Sequence, residues 1–154
     1  MLDGMDPSAL PHYFKLFNEI GIIEQLSRTF LEAQLPDGLI APHFSVLNHL
    51  IRVKDGQTPL VLARAFQVPK TSMTHTLAGL EKRRLVEMRP NPKDARSKQV
   101  WLTEDGQRVR DETIARLGPE FISVGQAIPP EKVQAVLPIL EELRIYLDKA
   151  RDIA

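Results

Sequence analysis

The stretch between Pro69 and Thr103 constrains the fold of this 154-residue chain more than any other part of its sequence. Its first half has large apolar residues at Met73, Leu77 and Leu80, and this spacing places them on one face of an amphipathic helix. The opposite face carries small polar or cationic residues: Lys70, Thr71, Ser72, Thr74, His75 and Ala78. Because hydroxyl, imidazole and ammonium groups can reach phosphates and base edges, this half predicts a helix that docks in the DNA major groove.

The second half of the stretch has the signature of a β-hairpin. Two short strand-like runs, at 85–89 and 99–103, flank a turn-rich segment that contains two prolines, Asn91 and Asp94. The tip of this hairpin is cationic, with Lys93, Arg96 and Lys98. A helix followed directly by a basic hairpin is the winged-helix arrangement, and the short turn at 67–69 before the helix predicts a helix-turn-helix.

These residues also resemble a known family. Asp-Ala-Arg at 94–96, followed by Leu-Thr at 102–103, resembles the D-x-R-x-x-x-x-x-L-T signature of the MarR family of transcriptional regulators. Leu-Glu-Lys at 80–82 and Leu-Val at 85–86 resemble the segment that ends the recognition helix in that family. The resemblance extends over nearly the whole chain, and the signature stretch is its most specific part.

The resemblance implies roles for individual residues. In that family the recognition helix enters the major groove, and the arginine of the wing reaches the minor groove or the backbone. By resemblance Arg96 is the wing contact, and Asp94 orients the wing without touching DNA. The predicted DNA-binding residues are Lys70, Thr71, Ser72, Thr74, His75, Lys93, Arg96 and Lys98. At the helix end, Lys82 and Arg83 either contact phosphate or complement the helix dipole.

Two positions in this stretch depart from the expected pattern. Family members usually have Gly where this chain has Arg84, a helix-terminating position that often needs a left-handed backbone. Arg84 therefore either strains that turn or ends the helix differently. Gly79 lies inside the recognition helix, where it costs roughly 1 kcal/mol relative to Ala. It indicates either close approach to DNA or a tight contact between helices.

The composition narrows the class of protein. The chain contains no cysteine, which excludes a disulfide scaffold, a thiolate zinc site and cysteine redox sensing. No run of 18 apolar residues and no charged-then-apolar leader is present, so we expect a cytoplasmic protein without membrane contact. Its 43% hydrophobic and 26% charged content is typical of a globular protein. The length suits one domain with a real core or a small domain plus an oligomerisation element, and the family resemblance implies a single domain over 1–154.

Charge is segregated along the chain although the formal net charge is zero. Residues 52–110 hold 13 Lys and Arg against 6 Asp and Glu, a balance of +7, whereas the remaining residues hold 7 against 14, a balance of −7. The basic part contains the helix and hairpin described above. This distribution indicates an anion-binding region on an acidic frame; chance clustering of solvated charge is the alternative.

Helical patterns frame the winged region. A long helix at 11–36 precedes the winged helix-turn-helix at 42–104, in which Thr58 is predicted to cap the third helix. Thr103 is predicted to cap the helix after the wing, which runs toward Ala127 with a kink at 118–119. The fold class is therefore mainly α: a winged helix-turn-helix core with a small β-hairpin wing, flanked by N- and C-terminal dimerisation helices.

The flanking helices, at 11–36 and 110–152, carry more apolar surface than one small winged domain needs to cover itself. We therefore expect them to pair with their copies in a twofold homodimer. Such a dimer would place two recognition helices about 34 Å apart and would bind a pseudo-palindromic operator.

The sequence is compatible with an effector pocket but does not identify a ligand. The resembled family often holds small aromatic or phenolic acids in a cleft between its first, second and fifth helices. The residues that could line such a cleft here are Tyr13, Phe17, His43, Phe44 and Arg52. For each of them, core packing or an ordinary surface role is the alternative.

No metal site, cofactor or enzymatic activity is predicted. The four histidines, at 12, 43, 49 and 75, have no i, i+3 or i, i+4 pair and no thiolate to assist them. The sequence also lacks a Gly-rich phosphate loop, a nucleophile elbow and an HExxH pair.

These observations predict a DNA-binding transcriptional regulator, a repressor that occupies a promoter site as a homodimer and is released by a small-molecule effector if it has one. The alternative is a winged-helix module for protein–protein contact without sequence-specific DNA binding. Salt-sensitive binding that prefers one DNA site would discriminate against that alternative.

Overall fold

A computed structural model describes residues 4–153 of the protein, with side chains through residue 152. In that range a 3-10 turn at Pro7–Ala9 precedes α1 (Leu10–Gln34), α2 (Ala41–Arg52), α3 (Pro59–Ala65), α4 (Lys70–Lys82), β1 (Val86–Pro90), β2 (Lys98–Leu102), α5 (Glu104–Arg116), α6 (Gly118–Ala127) and α7 (Pro130–Ile153). The predicted fold class, mainly helical with a small hairpin, is confirmed.

The chain divides into two compact units, Met1–Leu117 and Gly118–Ala154. The boundary falls where a kink was predicted at 118–119; α5 ends at Arg116 instead, and α6 begins at Gly118. One domain over 1–154 stays a prediction, and its ends at 1–3 and 154 lie outside the described residues.

The core of the first unit lies beneath the helix-turn-helix and the hairpin. The predicted apolar face of α4 is buried, since Met73, Leu77 and Leu80 are each at most 3% exposed. Buried residues from the α1–α2 loop, α2, α3 and the hairpin region pack in the same core: Leu35, Leu39, Val46, Leu47, Leu50, Leu62, Ala63, Leu85, Val86 and Val100. Burial of this face holds α4 in place and leaves its other face outward.

Two predicted helix caps are present. The Thr58 hydroxyl accepts the Val61 N–H at 3.3 Å, and the Thr103 hydroxyl accepts the Gly106 N–H at 3.0 Å. Thr103 also donates its hydroxyl proton to the Arg84 carbonyl at 2.8 Å. The start of α5 is thereby tied to the end of the recognition helix.

Non-glycine residues end both helices of the helix-turn-helix in a left-handed conformation. Gln67 follows α3 with φ 53°, and Arg84 follows α4 with φ 58°. The backbone of each makes the paired bonds of a Schellman cap; after α4, Leu85 N–H donates to Leu80 O and Arg84 N–H donates to Glu81 O. Arg84 thus strains the turn, the first of the two alternatives that the sequence left open.

Replacing Arg84 by Gly is therefore expected to raise the free energy of unfolding by about 1 kcal/mol, because Gly adopts φ near +60° without steric cost. Urea denaturation measures the change. Arg84→Ala is the matched control, since it removes the same side chain but keeps the strain. Equal unfolding midpoints for the two variants would contradict the assignment.

The apolar side chains of α1 are largely unburied in one copy of the chain. None of its 25 residues is buried, and Phe14, Ile23 and Leu26 are 73%, 59% and 63% exposed. The homodimer pairing predicted for this helix would cover these side chains, and it stays a prediction.

The second unit, described by itself, also exposes apolar residues. On α6 and α7 they are Phe121, Ile122, Val124, Val133, Val136, Leu137, Ile139, Ile145, Tyr146 and Leu147. Pro138 lies inside α7, which continues past it. Among residues 4–153, no helix has the length and apolarity needed to cross a membrane.

Candidate nucleic-acid interface

The outward face of α4 carries the predicted major-groove residues. Lys70, Thr71, Ser72, Thr74 and His75 are all exposed. The Thr74 hydroxyl donates to the Lys70 carbonyl at 2.9 Å, so its oxygen stays available to accept a bond. Pro69 precedes the helix and supplies no capping side chain. The first N–H groups of α4 are therefore suited to bind an anion such as phosphate.

The wing is an ordered hairpin with a polar tip. Its strands are antiparallel, with Val86 opposite Leu102 and Pro90 opposite Lys98. The Asn91 carboxamide accepts the Lys93 N–H at 3.0 Å and donates to the Ser97 hydroxyl at 2.9 Å. Local bonds of this kind give the loop between the strands a fixed shape.

Asp94 forms a hydrogen bond with the backbone of Arg96, the residue predicted to contact DNA. Its Oδ1 accepts the Arg96 N–H at 2.9 Å, and its carbonyl accepts the Ser97 N–H at 3.2 Å. Lys93, Arg96 and Lys98 are exposed, and no described carboxylate lies within salt-bridge distance of them. The tip therefore presents three cations that no acidic residue of the described chain neutralises.

Two arginines near the interface are engaged within the protein. Arg83, at the end of α4, donates to the carbonyl of Asp37 in the loop between α1 and α2. The structure thus gives it a tether, a role that neither sequence alternative included. Arg89 pairs with Glu87 at 3.1 Å and lies 5.0 Å from the centre of the Trp101 ring.

The back of α4 packs closely on α2 at Gly79. A β-carbon at that position would lie 2.9 Å from His43 Nε2, so the glycine serves the tight contact between helices. His43 Nδ1 accepts the Ile40 N–H at 3.0 Å. Partial burial lowers the pKa of His43, and the nearby Arg83 and His75 lower it further. A neutral ring preserves the Nδ1 acceptor.

The residues predicted to line an effector pocket lie on two helices. Tyr13 and Phe17 are exposed on α1, His43 and Phe44 are half-buried on α2, and Arg52 is exposed at its end. A cleft of about 280 Å³ has a different lining: Glu24, Arg28, Ala41, Pro42, Ser45, Val46, Phe66, Val68, Ser72, Met73 and Thr76. The pocket deduced from the sequence stays a prediction.

A separate hollow of about 190 Å³ lies between α4 and the wing, with Thr74, Leu77, Met88 and Lys98 among its lining residues. No three His, Cys, Asp or Glu residues of the described chain lie close enough together to hold a metal ion.

A helix-turn-helix followed by an ordered basic hairpin defines a winged helix-turn-helix protein. The sequence model of the MarR family matches residues 37–97. Over 95 residues the chain is 30% identical to the transcriptional regulator HosA of Escherichia coli O111:H-, covering 62% of this chain and 69% of that protein. The chain belongs to the MarR family of transcriptional regulators, as its sequence signature predicted.

Solved structures share this fold. The transcriptional regulator BldR from Sulfolobus solfataricus superposes with a TM-score of 0.73 at 22% identity, covering 94% of this chain and 99% of that one. A mutant MarR from E. coli complexed with operator DNA superposes with a TM-score of 0.68 at 23% identity, covering 90% and 99%. At these identities the likeness establishes the fold alone.

Proposed function

We propose that this regulator is a repressor that binds a pseudo-palindromic promoter site as a homodimer. The observation that carries the proposal is the pairing of the exposed polar face of α4 with a wing tip of three unneutralised cations. Major-groove reading by a helix and backbone contact by a hairpin are complementary ways to bind one duplex. A mutant MarR from E. coli that shares this fold is complexed with operator DNA, which supports DNA as the ligand of the fold.

The individual contacts follow from position. Lys70 and the amino end of α4 bind phosphate, and Thr71, Ser72, Thr74 and His75 face base edges. Lys93, Arg96 and Lys98 bind the backbone or the minor groove, with Asp94 holding the Arg96 backbone. Such a protein acts by occupying DNA rather than by catalysis, and it works in the cytoplasm, where the DNA is.

Release by an effector is the regulatory part of the proposal. The cleft of about 280 Å³ includes Ser72 of α4 together with residues of α1 and α2. A small aromatic or phenolic ligand, in that cleft or in the one lined by Tyr13, Phe17, His43, Phe44 and Arg52, would bind one arrangement of these helices in preference to another. Ligand and DNA affinities would then be reciprocally coupled, typically by about 1–3 kcal/mol.

A fluorescence-anisotropy titration with the DNA upstream of its own gene tests the proposal, at two salt concentrations and with a scrambled duplex of equal length. Tight, salt-sensitive binding that prefers the native duplex supports a sequence-reading dimer. If both duplexes bind equally and weakly, selection of bound fragments from genomic DNA separates a distant operator from a winged fold that serves a protein partner.

Within that assay, Arg96→Ala is expected to lower DNA affinity about tenfold, because a charged hydrogen bond to the duplex is lost. The salt slope should fall by about one unit if the contact is to phosphate. Sedimentation should show an unchanged oligomeric state. Arg108→Ala is the control, since this exposed arginine of α5 pairs with Asp105; equal effects of the two changes would refute the wing contact.

A further inference from the structure

We infer that Asp55, together with Gly56, Gln57 and His49, forms a mount that fixes the wing at a set distance from the recognition helix. The inference rests on the proposed DNA-binding function, to which it adds residues that touch no DNA. These four residues, named here the wing mount, lie at the end of α2 and in the loop before α3.

The mount bonds to the edge of β2 that β1 leaves free. Gly56 N–H donates to Val100 O at 3.0 Å, and Val100 N–H donates to Gln57 O at 2.8 Å. Leu102 N–H donates to Asp55 Oδ1 at 2.9 Å, and the same oxygen accepts Gly56 N–H at 3.0 Å. Strand β2 is therefore held along both edges, and a carboxylate 47 residues away fixes its last residue.

A close side-chain contact prevents the strand from sliding. Gly56 has φ +69°, and a β-carbon there would lie 2.5–2.8 Å from atoms of the Trp101 ring. The indole therefore rests on bare backbone, and the guanidinium of Arg89 covers it at 5.0 Å. Any other residue at 56 would be strained at this positive φ and would force the indole to shift.

His49 connects the mount to the turn that precedes the recognition helix. Its Nε2 lies 3.0 Å from Gln57 Oε1, and its side chain is almost completely buried at 9% exposure. The imidazole and the carboxamide are therefore within hydrogen-bond distance, with donor and acceptor set by the imidazole tautomer. The ring also lies 5.2 Å from that of Phe66, the residue that follows α3 as its C-cap and begins the turn into α4. One network thus extends from β2 of the wing to the turn that leads into α4.

The wing mount should affect DNA binding through the wing alone. Arg96 can form a hydrogen bond to the duplex only if the hairpin is held at the correct distance from α4. The reason is that a hydrogen bond weakens steeply as its distance and angle depart from the optimum. Loosening the mount removes the contribution of the wing and leaves that of α4. A general loss of stability would weaken both contributions together.

Double-mutant cycles on DNA affinity test this inference. Arg96→Ala and Lys70→Ala are each measured in the wild-type, Asp55→Ala and Asp55→Asn backgrounds. We expect Arg96→Ala to lower DNA affinity about tenfold in the wild type and in Asp55→Asn. The carboxamide oxygen of Asp55→Asn still accepts the Gly56 and Leu102 N–H groups. In Asp55→Ala its cost should fall below about twofold, whereas Lys70→Ala should cost the same in all three backgrounds.

An undiminished Arg96→Ala effect in Asp55→Ala would overturn the inference. Equal behaviour of Asp55→Ala and Asp55→Asn would overturn it too, because the charge of Asp55 would then be acting rather than its bonds. His49→Phe keeps a ring beside Phe66 and removes the bond to Gln57, so it should reproduce the Asp55→Ala pattern; a pattern like the wild type would count against His49.

Amide hydrogen exchange tests, in the absence of DNA, whether Asp55 holds strand β2. Asp55→Ala should speed exchange at Val100 and Leu102 at least about tenfold and leave the buried turns of α4 unchanged. Unchanged exchange at both residues would overturn the mount even if the protein binds DNA as proposed. Faster exchange in a protein that prefers no duplex would retain the mount and reject the proposed function.

Discussion

Leu26→Glu is expected to convert the protein from a dimer to a monomer and to lower its affinity for a full operator by more than about 100-fold. The side chain is 63% exposed on α1, a helix with no buried residue in a single copy. In the proposed homodimer the partner would cover this face, and a carboxylate there would be desolvated without a counter-ion, in two copies. A penalty of roughly 3 kcal/mol already corresponds to about 100-fold.

Loss of the dimer also lowers DNA affinity, because the second half-site would no longer benefit from the high effective concentration created by the first. Sedimentation equilibrium measures the mass, and the anisotropy assay measures operator binding. Gln25→Glu is the matched control: it adds the same charge one residue away, with nearly unchanged shape, at a position about 100° around the helix. A Leu26→Glu protein with wild-type mass and affinity would refute dimerisation through this face of α1.

Features encoded by neighbouring residues could be predicted from the sequence. The buried face of α4 follows from the spacing of Met73, Leu77 and Leu80 alone, and the Thr103 cap joins residues three apart. Turn residues at 91 and 94 likewise form the bonds that turn chemistry favours. Local rules suffice where both partners in a contact lie within one or two turns of chain.

Where two local outcomes have similar energies, the sequence left them open. The left-handed conformation of Arg84 costs about 1–2 kcal/mol of backbone strain. Burial of the Leu85 side chain against Leu80 stabilises the fold by a comparable amount. Both leucines are buried, at 6% and 0% exposure, and the strained cap forms. The role of Gly79 was undecided for the same reason, since its neighbour His43 lies on another helix.

Contacts between distant segments escaped prediction altogether. The Asp55–Leu102 bond spans 47 residues and uses a backbone N–H, which leaves no signature in residue type. The tether from Arg83 to the Asp37 carbonyl is hidden in the same way. The sequence therefore indicated the helix and hairpin that are proposed to bind DNA, whereas the bonds between distant segments emerged only from the folded chain.

Gly106→Ala tests the close approach of α5 to the backbone that leads into the hairpin. We expect this change to destabilise the protein by at least about 3 kcal/mol. A β-carbon at 106 would overlap the carbonyl oxygen of Leu85 and approach Leu102 Cδ1 to 2.9 Å. A backbone oxygen cannot rotate away as a side chain can. Either α5 or the start of the hairpin must move, at the expense of the Thr103 cap and the buried Leu85.

Thermal unfolding followed by circular dichroism should show a fall in Tm of roughly 6–12 °C for a chain of this length. Gly118→Ala is the control: it introduces the same methyl group at the start of α6, where a β-carbon would meet no atom within 4 Å. That change should be neutral or slightly stabilising, because Ala favours helix over Gly. If both variants melt like the wild type, the close approach of α5 to Leu85 is wrong. If only Gly106→Ala loses stability, the glycine is required because the first turn of α5 lies directly on the backbone that leads into the wing.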